Sequence, residues 1–306
     1  MTPSNIPREL ALSPDIDTDN ADQRSAEWLA WRDRPDTPLA DFLQETLAMA
    51  KRLFIQLKRR PTTLIAGIIQ PLMWLILFGA LFQNAPQGFF GDDIAYGQFL
   101  GAGIIVFTAF GGALNAGLPV MFDREFGFLN RFLVAPLNSR FSIVLASALF
   151  ITTLTLIQTA VIMGTGLVLG AGIPTGLGLA VVVAIIVLLV LGVTALSLGL
   201  AFALPGHIEL LAAIFVVNLP LLFASTALAP LSFMPTWLQW VAALNPLSYA
   251  IEPIRYLYLH SDWSWHSVVL AAPFGDISFG TALLVLLGMD LVLLLMTKPL
   301  LSRRIA

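Results

Sequence analysis

A run without a single charged residue extends from residue 141 to residue 208 and is almost wholly apolar. About 20 apolar residues cross the ~30 Å hydrocarbon core of a bilayer as an α-helix, so this run is far too long for one crossing. The segment GAGIPTG at residues 170–176 supplies the glycines and the proline that end helices. The pattern therefore predicts two membrane spans, at about residues 141–169 and 177–204.

The rest of the chain also favours a membrane environment. Of its 306 residues, 58% are hydrophobic and only 11% are charged, which is more apolar surface than a soluble core shelters. The fold class predicted is an all-α membrane protein with six transmembrane helices, the other four lying at about residues 62–82, 96–121, 210–229 and 279–300. The formal net charge of −3 gives no indication of a nucleic-acid partner.

The two ends of the chain are polar. Residues 1–38 are rich in proline and acids, which predicts a disordered cytoplasmic tail. Residues 39–60 place apolar and charged side chains on opposite faces of a helix, which predicts an amphipathic helix at the membrane interface. Residues 302–306 are predicted to form a short cytoplasmic C-terminus that follows the six-span region 61–301.

An aromatic stretch separates the fifth and sixth predicted spans. Within residues 232–278, the segment PTWLQWVAALNPLSYAIEPIRYLYLH predicts two short helices that meet at Asn245 and Pro246. Neither is long enough to cross a bilayer, so both are predicted to be re-entrant from the outside. This region holds four of the seven Trp and three of the four Tyr, as in an aromatic belt at one interface.

The distribution of basic residues predicts the orientation. Fifteen of the 16 Lys and Arg lie in the N-terminal region, in the loop 122–140 or at the C-terminus, and the remaining one is Arg255. Because cytoplasmic loops are enriched in Lys and Arg, both termini and the loop are predicted to be cytoplasmic.

The loop 122–140 itself has a helical pattern. Apolar residues recur there at steps of three and four, at Phe122, Phe126, Leu129 and Leu133. This predicts a short amphipathic helix with Asp123 as its N-cap. Such a helix lies on the lipid surface or docks into a groove of another protein; the alternative is a solvated loop that only maintains topology.

No enzyme site is evident in the sequence. The chain has no cysteine, and its three histidines, at residues 207, 260 and 266, are too scattered for a metal cluster. The lysines at residues 51, 58 and 298 do not follow a glycine as a phosphate-binding loop requires. We therefore expect the chain not to be an enzyme by itself and to bind no metal or cofactor.

Three charged residues lie in apolar surroundings. Asp290 falls within the last predicted span, where an isolated carboxylate must face protein or water. It could bind a cationic substrate, relay protons or hydrogen-bond a neighbouring helix. Glu252 and Arg255, three residues apart, can pair on one helix as a gate or as a structural clasp.

Four features, spread over residues 39–301, resemble the type-2 ATP-binding-cassette (ABC) permeases of bacterial exporters. They are the six-span order, KRLFIQLKRRP followed by QPLMWLILFGALF (51–61 and 70–82), REFGFLNRFLVAPLNSR (124–140) and NLPLLFASTALAPLSFMPTWLQWVAALNPLSYAIEPIR (218–255). The order resembles drug-resistance and glycoconjugate-exporting members. The resemblance implies a homodimer of permeases in the bacterial inner membrane with two separate ATPase subunits, which would bind ATP and Mg²⁺.

The resemblance also implies residue roles. ATPase docking would fall to the loop and the preceding helix, at Arg124, Glu125, Phe126, Leu129, Arg131, Lys51 and Arg52. The transport path would run between the two copies, lined by the second and fifth spans. Candidate pathway or gate residues are Phe107, Phe110, Phe215, Phe223, Glu252, Arg255 and Asp290. The expected substrate is hydrophobic, lipid-like or a glycoconjugate.

One alternative belongs to another class of transporter. In an ion-gradient-driven secondary transporter or channel, Pro220 and Asp290 would mark a broken helix and a cation site. No inverted repeat is evident in the sequence, which weakens this alternative. An intramembrane enzyme is disfavoured because no paired acids or nucleophile–base set is present.

Overall fold

The computed structural model describes residues 38–59, 61–82, 96–127, 141–170, 172–174, 176–260 and 262–305. The predicted tail up to residue 37 and most of the loop 122–140, including Leu129 and Arg131, lie outside these ranges. The described part of the chain contains ten α-helices and two strands. They are α1 (Pro38–Arg59), α2 (Thr62–Leu81), α3 (Tyr96–Leu114), α4 (Gly117–Glu125), α5 (Phe141–Val168), α6 (Leu177–Ala203), α7 (His207–Phe223), α8 (Thr236–Leu244), α9 (Pro246–Leu259), β1 (Val268–Ala272), β2 (Gly275–Ser278) and α10 (Phe279–Ile305).

The charge-free run forms the helices α5 and α6, which are 28 and 27 residues long. Between them, Gly170, Gly172 and Gly176 have φ angles of 86°, 75° and 55°. These angles lie in the left-handed region that a side chain with a Cβ disfavours. The glycines therefore provide the reversal that turns one apolar run into two antiparallel helices.

Five helical stretches within the described residues are long and apolar enough to cross a membrane: α2, α3 together with α4, α5, α6 and α10. This confirms a mostly helical membrane fold. The remaining candidate, α7, has 17 residues and is about 25 Å long at 1.5 Å per residue. It is therefore shorter than the predicted span at residues 210–229.

The early end of α7 has a physical cause outside the helix. The side-chain amide of Asn245 donates to the carbonyl oxygens of Leu221 and Ala224 at 2.7 and 2.6 Å, and the Ser225 hydroxyl donates to that of Leu222. These bonds satisfy carbonyls that a continuing helix would have used. Pro220 lies inside α7 and does not end it.

The second predicted span is interrupted at Asn115 and Ala116, between α3 and α4. Pro119 lies in the first turn of α4, where its missing N–H is tolerated. The Ser197 hydroxyl on α6 donates to the Leu114 carbonyl and accepts from the Gly117 amide at 2.9 Å. A Cβ at Gly117 would clash with the Ser197 backbone. The backbone groups that the interruption exposes are thus satisfied by a neighbouring helix.

The core is built around α3 and α6. Residues 99–110 on α3 are all buried, and α3 packs against α2, α5, α6 and α9. The last helix, α10, packs along α6. By contrast, α2 and the outward face of α10 carry large exposed apolar side chains, among them Ile69, Leu77, Leu284 and Leu291. Such faces suit contact with lipid or with another apolar surface.

The predicted aromatic region forms two short helices and a hairpin. Helices α8 and α9 meet at Asn245, whose side chain accepts a hydrogen bond from the Leu247 amide and caps α9. Their re-entrant position in a bilayer stays a prediction. Strands β1 and β2 pair in antiparallel register, with Leu270 opposite Ile277, and this hairpin was not predicted.

Candidate functional site

The last turn of α4 binds the end of α6 through Arg124. Its guanidinium donates to the carbonyl oxygens of Ala201 at 2.8 Å, Phe202 at 3.3 Å, Leu204 at 2.5 Å and Pro205 at 2.7 Å. The last carbonyls of a helix have no partner within that helix and carry its negative dipole end. Arg124 therefore acts as a C-terminal cap for α6.

The next residue, Glu125, binds the beginning of α7. Its carboxylate accepts from the His207 backbone amide and lies 2.6 Å from His207 Nδ1. A carboxylate at a helix N-terminus binds unpaired amides and the positive dipole end. A Cβ at Gly206 would lie 2.9 Å from Glu125 Oε1, so glycine keeps this approach open. We call Arg124, Glu125, His207 and the four carbonyls the Arg124 clasp.

The structure corrects the predicted role of Asp123. This residue lies within the last turn of α4 and is not the N-cap of a new helix, because α4 continues the second span into the loop. Its carboxylate pairs with the Arg52 guanidinium of α1 at 2.9 and 3.0 Å. A second contact from α1 joins Glu45 to the Ser142 hydroxyl of α5 at 3.0 Å. Two polar contacts therefore hold α1 against α4 and α5.

An exposed aromatic pair lies beside the Arg124 clasp. Phe126 is 81% exposed and Phe122 is 37% exposed, and their rings stack with centroids 6.2 Å apart. The Phe122 ring also lies 5.3 Å from the His207 ring. Lys51 on α1 is exposed as well. Of the predicted docking residues that the structure describes, Phe126 and Lys51 are the ones whose side chains are most available to a partner.

A second site built around a single arginine lies beyond the other end of α7. Arg255, only 5% exposed, donates to the Thr226 carbonyl at 2.6 Å and to the Phe99 carbonyl at 3.3 Å. Its guanidinium lies 3.6 Å from the centroid of the Phe99 ring and pairs with the Glu252 carboxylate. We call these four residues the Arg255 clasp; they join α9 to the beginning of α3 and to the segment after α7.

The four predicted pathway phenylalanines divide into two groups. Phe107 and Phe110 on α3 are 6% and 3% exposed, so they are packed inside a single chain. Phe215 and Phe223 on α7 are 67% and 54% exposed and lie on the surface. Only the α7 pair is available to another molecule without rearrangement.

Asp290 is buried on the face of α10 that packs against α6. The residue is 6% exposed, and its Oδ2 atom has no hydrogen-bond partner among the described residues. A Cβ on Gly192 of α6 would clash with its carboxyl group. The predicted hydrogen bond to a neighbouring helix is therefore not found for Oδ2. A carboxylate placed in a span costs about 2.5–3.5 kcal/mol.

The structure adds residues that the sequence analysis did not single out as functional: Ser197, Gly192 and His207. Ser197 binds Gly117, His207 binds Glu125, and Gly192 lies against Asp290. These partners lie between 80 and 98 positions away along the chain, so no local pattern indicated the three residues. Within the described residues, no group of three or more His, Asp or Glu could hold a metal ion.

Five helical stretches long and apolar enough to cross a membrane, within the described residues, define a polytopic α-helical membrane protein. Comparison with known proteins gives its family. The profile of the family described as ABC-2 type transporter matches residues 44–259. The chain belongs to this family, and its function is accordingly that of a transport permease.

Three relatives illustrate the range of similarity. A transport permease named ycf38 from Porphyra purpurea is 55% identical over 260 residues, covering 85% of this chain and 89% of the relative. The ycf38 permease of Cyanophora paradoxa is 57% identical over 261 residues, covering 85% and 90%. A doxorubicin resistance ABC transporter permease protein, DrrC, of Mycobacterium tuberculosis is 29% identical over 224 residues, covering 70% and 76%.

Proposed function

We propose that this chain is the membrane-spanning subunit of an exporter, driven by a separate ATPase that docks beside the Arg124 clasp. Two copies would form the transport path, and ATP and Mg²⁺ would bind to the ATPase. The family supports transport, and the relative named for doxorubicin resistance supports an organic, hydrophobic cargo; lipid-like molecules and glycoconjugates belong to the same proposal.

The observation that carries this proposal is the Arg124 clasp. Adjacent residues of α4 bind the end of α6 and the beginning of α7. A force that displaces α4 must therefore either break these bonds or move the α6–α7 junction with it. The clasp supplies a physical route from a docking surface to two membrane helices, as coupling through packed elements requires.

The docking surface itself is proposed to include Phe122, Phe126 and Lys51. Exposed aromatic side chains are among the residues that protein interfaces enrich at their centres. Arg124 and Glu125 then act as transmitters, since both are engaged within the chain. This refines the role that the family resemblance implied for them.

The second permease copy is proposed to contact α7. Its exposed apolar side chains include Ile208, Phe215, Val216, Leu219 and Phe223. Phe107 and Phe110 are buried within one chain, so the α7 pair is the better candidate for lining a path between copies. We further propose that both termini and the Arg124 clasp face the cytoplasm. The 15 Lys and Arg residues other than Arg255 all lie in the N-terminal region, the loop 122–140 or the C-terminus, and cytoplasmic segments are enriched in such residues.

The test uses an exposed side chain that makes no contact with the clasp's polar groups. Replacing Phe126 by Asp places a charge in the proposed interface while leaving the Arg124 and Glu125 hydrogen bonds in place. We expect ATPase binding to weaken by roughly tenfold or more, as loss of an aromatic interface anchor does. The measurement is affinity between the detergent-purified chain and an ATP-binding-cassette ATPase of the same genome, together with cargo-stimulated ATP hydrolysis.

The matched control is Phe274→Asp. Phe274 is also an exposed aromatic, 48% exposed, but it lies in the β1–β2 turn, where its ring contacts that of Trp240 on α8. Both variants should insert and purify like the parent chain. Equal ATPase binding by the parent and Phe126→Asp would overturn the docking proposal, and transport by the isolated chain without ATPase would overturn the function.

A further inference from the structure

A cleft runs between α7 and α10 in the apolar part of the molecule. These two helices do not pack closely against each other in the described chain, and the space between them reaches inward to α3 and α6. Its volume is about 520 Å³, within the range of sites that hold drug-sized molecules. Its walls are formed largely by aliphatic side chains, such as Leu189, Val193, Val217 and Leu286.

One charged side chain lines this cleft, that of Asp290. It is more than nine-tenths buried, and Oδ2 has no hydrogen-bond partner among the described residues. The absence of a side chain on Gly192 leaves room for the carboxyl group against α6. A carboxylate in apolar surroundings, with one oxygen atom that has no partner among the described residues, is complementary to a cation, because a buried charge must be compensated.

The walls of the cleft add a second preference. The surrounding aliphatic walls would reject a small hydrated ion, whose water they cannot replace, and accept an organic cation whose charge is spread over an apolar body.

The position of the cleft also fits entry from the lipid. Val292, which lines the cleft, is 55% exposed on the outer face of α10. A molecule dissolved in the bilayer could therefore reach Asp290 between α7 and α10 without passing through the Arg124 clasp or the Arg255 clasp.

We propose that the α7–α10 cleft is a binding site for amphipathic monovalent organic cations, with Asp290 as the counter-charge. The proposal names a substrate class and in that respect rests on the proposed transport function. Binding itself is a property of the permease chain alone. It can therefore be measured without an ATPase, which separates the failure of this site from the failure of the proposed function.

The experiment compares two probes of the same shape and opposite charge. Tetraphenylphosphonium and tetraphenylborate are titrated into the full chain in lipid nanodiscs, with binding measured by equilibrium dialysis against empty nanodiscs. The site should bind the cation, and Asp290→Asn should weaken that binding by roughly tenfold or more. The anion should bind no better than it does to empty nanodiscs.

The matched control is Asp276→Asn, which removes the same charge from the exposed β-hairpin and should leave cation binding unchanged. If Asp290→Asn does not fold, the comparison of the two probes in the parent chain provides the answer. Unchanged cation binding in the folded Asp290→Asn variant, or equal binding of both probes by the parent chain, would overturn the site. Loss of ATPase stimulation with binding intact would instead count against the proposed function.

Discussion

The two arginine clasps make the same kind of hydrogen bond in different surroundings. Each guanidinium binds backbone carbonyls next to one end of α7: Arg124 binds those that precede the helix, and Arg255 binds that of Thr226 just after it. Arg255 is almost fully buried, whereas Arg124 is partly exposed and Glu125 is exposed. Water can replace the contacts of the first clasp but not those of the second.

This difference in burial affects how strongly each end of α7 is held. Hydrogen bonds that water can replace contribute little net free energy, whereas breaking a buried charge pair leaves an uncompensated charge. We therefore expect the Arg255 clasp to resist displacement more strongly than the Arg124 clasp, so that a force on α4 moves the beginning of α7 more than its end.

The largest effect is expected at the Arg255 clasp. Arg255→Met leaves the largely buried Glu252 carboxylate without its ion-pair partner, and should lower the free energy of unfolding by about 3–5 kcal/mol. Unfolding of the purified chain in mixed detergent and SDS micelles measures this loss. The double variant Arg255→Met with Glu252→Gln should recover part of it, since the stranded charge is removed. A loss below about 1 kcal/mol would show that this clasp is no more rigid than the other.

An intermediate effect is expected at Arg124. Arg124→Gln removes most of the carbonyl contacts and should lower the free energy of unfolding by about 1–3 kcal/mol. Coupling should suffer more than stability, with cargo-stimulated ATP hydrolysis falling by roughly tenfold, as a loss of about 1.4 kcal/mol of coupling free energy produces. Arg124→Lys keeps the charge but not the planar fork. Full coupling in the Lys variant would show that charge, rather than the capping geometry, transmits the motion.

The smallest effect is expected where α1 meets α4. Arg52 and Asp123 form a pair whose side chains are 32% and 27% exposed, and such pairs contribute about 0.2–1 kcal/mol. A double-mutant cycle with Ala at both positions isolates this interaction. A coupling energy above about 2 kcal/mol would place α1 in the rigid part of the molecule and weaken the contrast between the two clasps.

The sequence predicted the elements that local patterns control. The charge-free run and its glycine-containing break correspond to α5 and α6, and Asn245 with Pro246 marks the junction of α8 and α9. The hairpin was missed, although VVLAAPFGDIS contains β-branched residues on either side of a Pro-Phe-Gly turn. This strand signal was not used, because the other apolar stretches of the chain all have helical patterns.

Other features could not be predicted because their partners are distant in the sequence. The predicted fifth span was too long because Asn245, more than 20 residues away, binds the carbonyls where α7 ends. Arg124 was assigned to a partner protein because nothing local shows that its guanidinium is bound to carbonyls 77 to 81 residues away. The burial of Phe110 and the unpaired state of Asp290 Oδ2 likewise depend on how several helices meet.

The interruption at Asn115 and Ala116 has a mechanical consequence. A continuous helix would transmit any tilt of its cytoplasmic end along its whole length and disturb the buried packing of α3. Here the Ser197 hydroxyl supplies the hydrogen bonds at the break, so bending at this point exposes no polar backbone to lipid. We therefore expect the second span to bend more readily at Asn115 and Ala116 than elsewhere, so that α4 changes its tilt while α3 remains packed in the core.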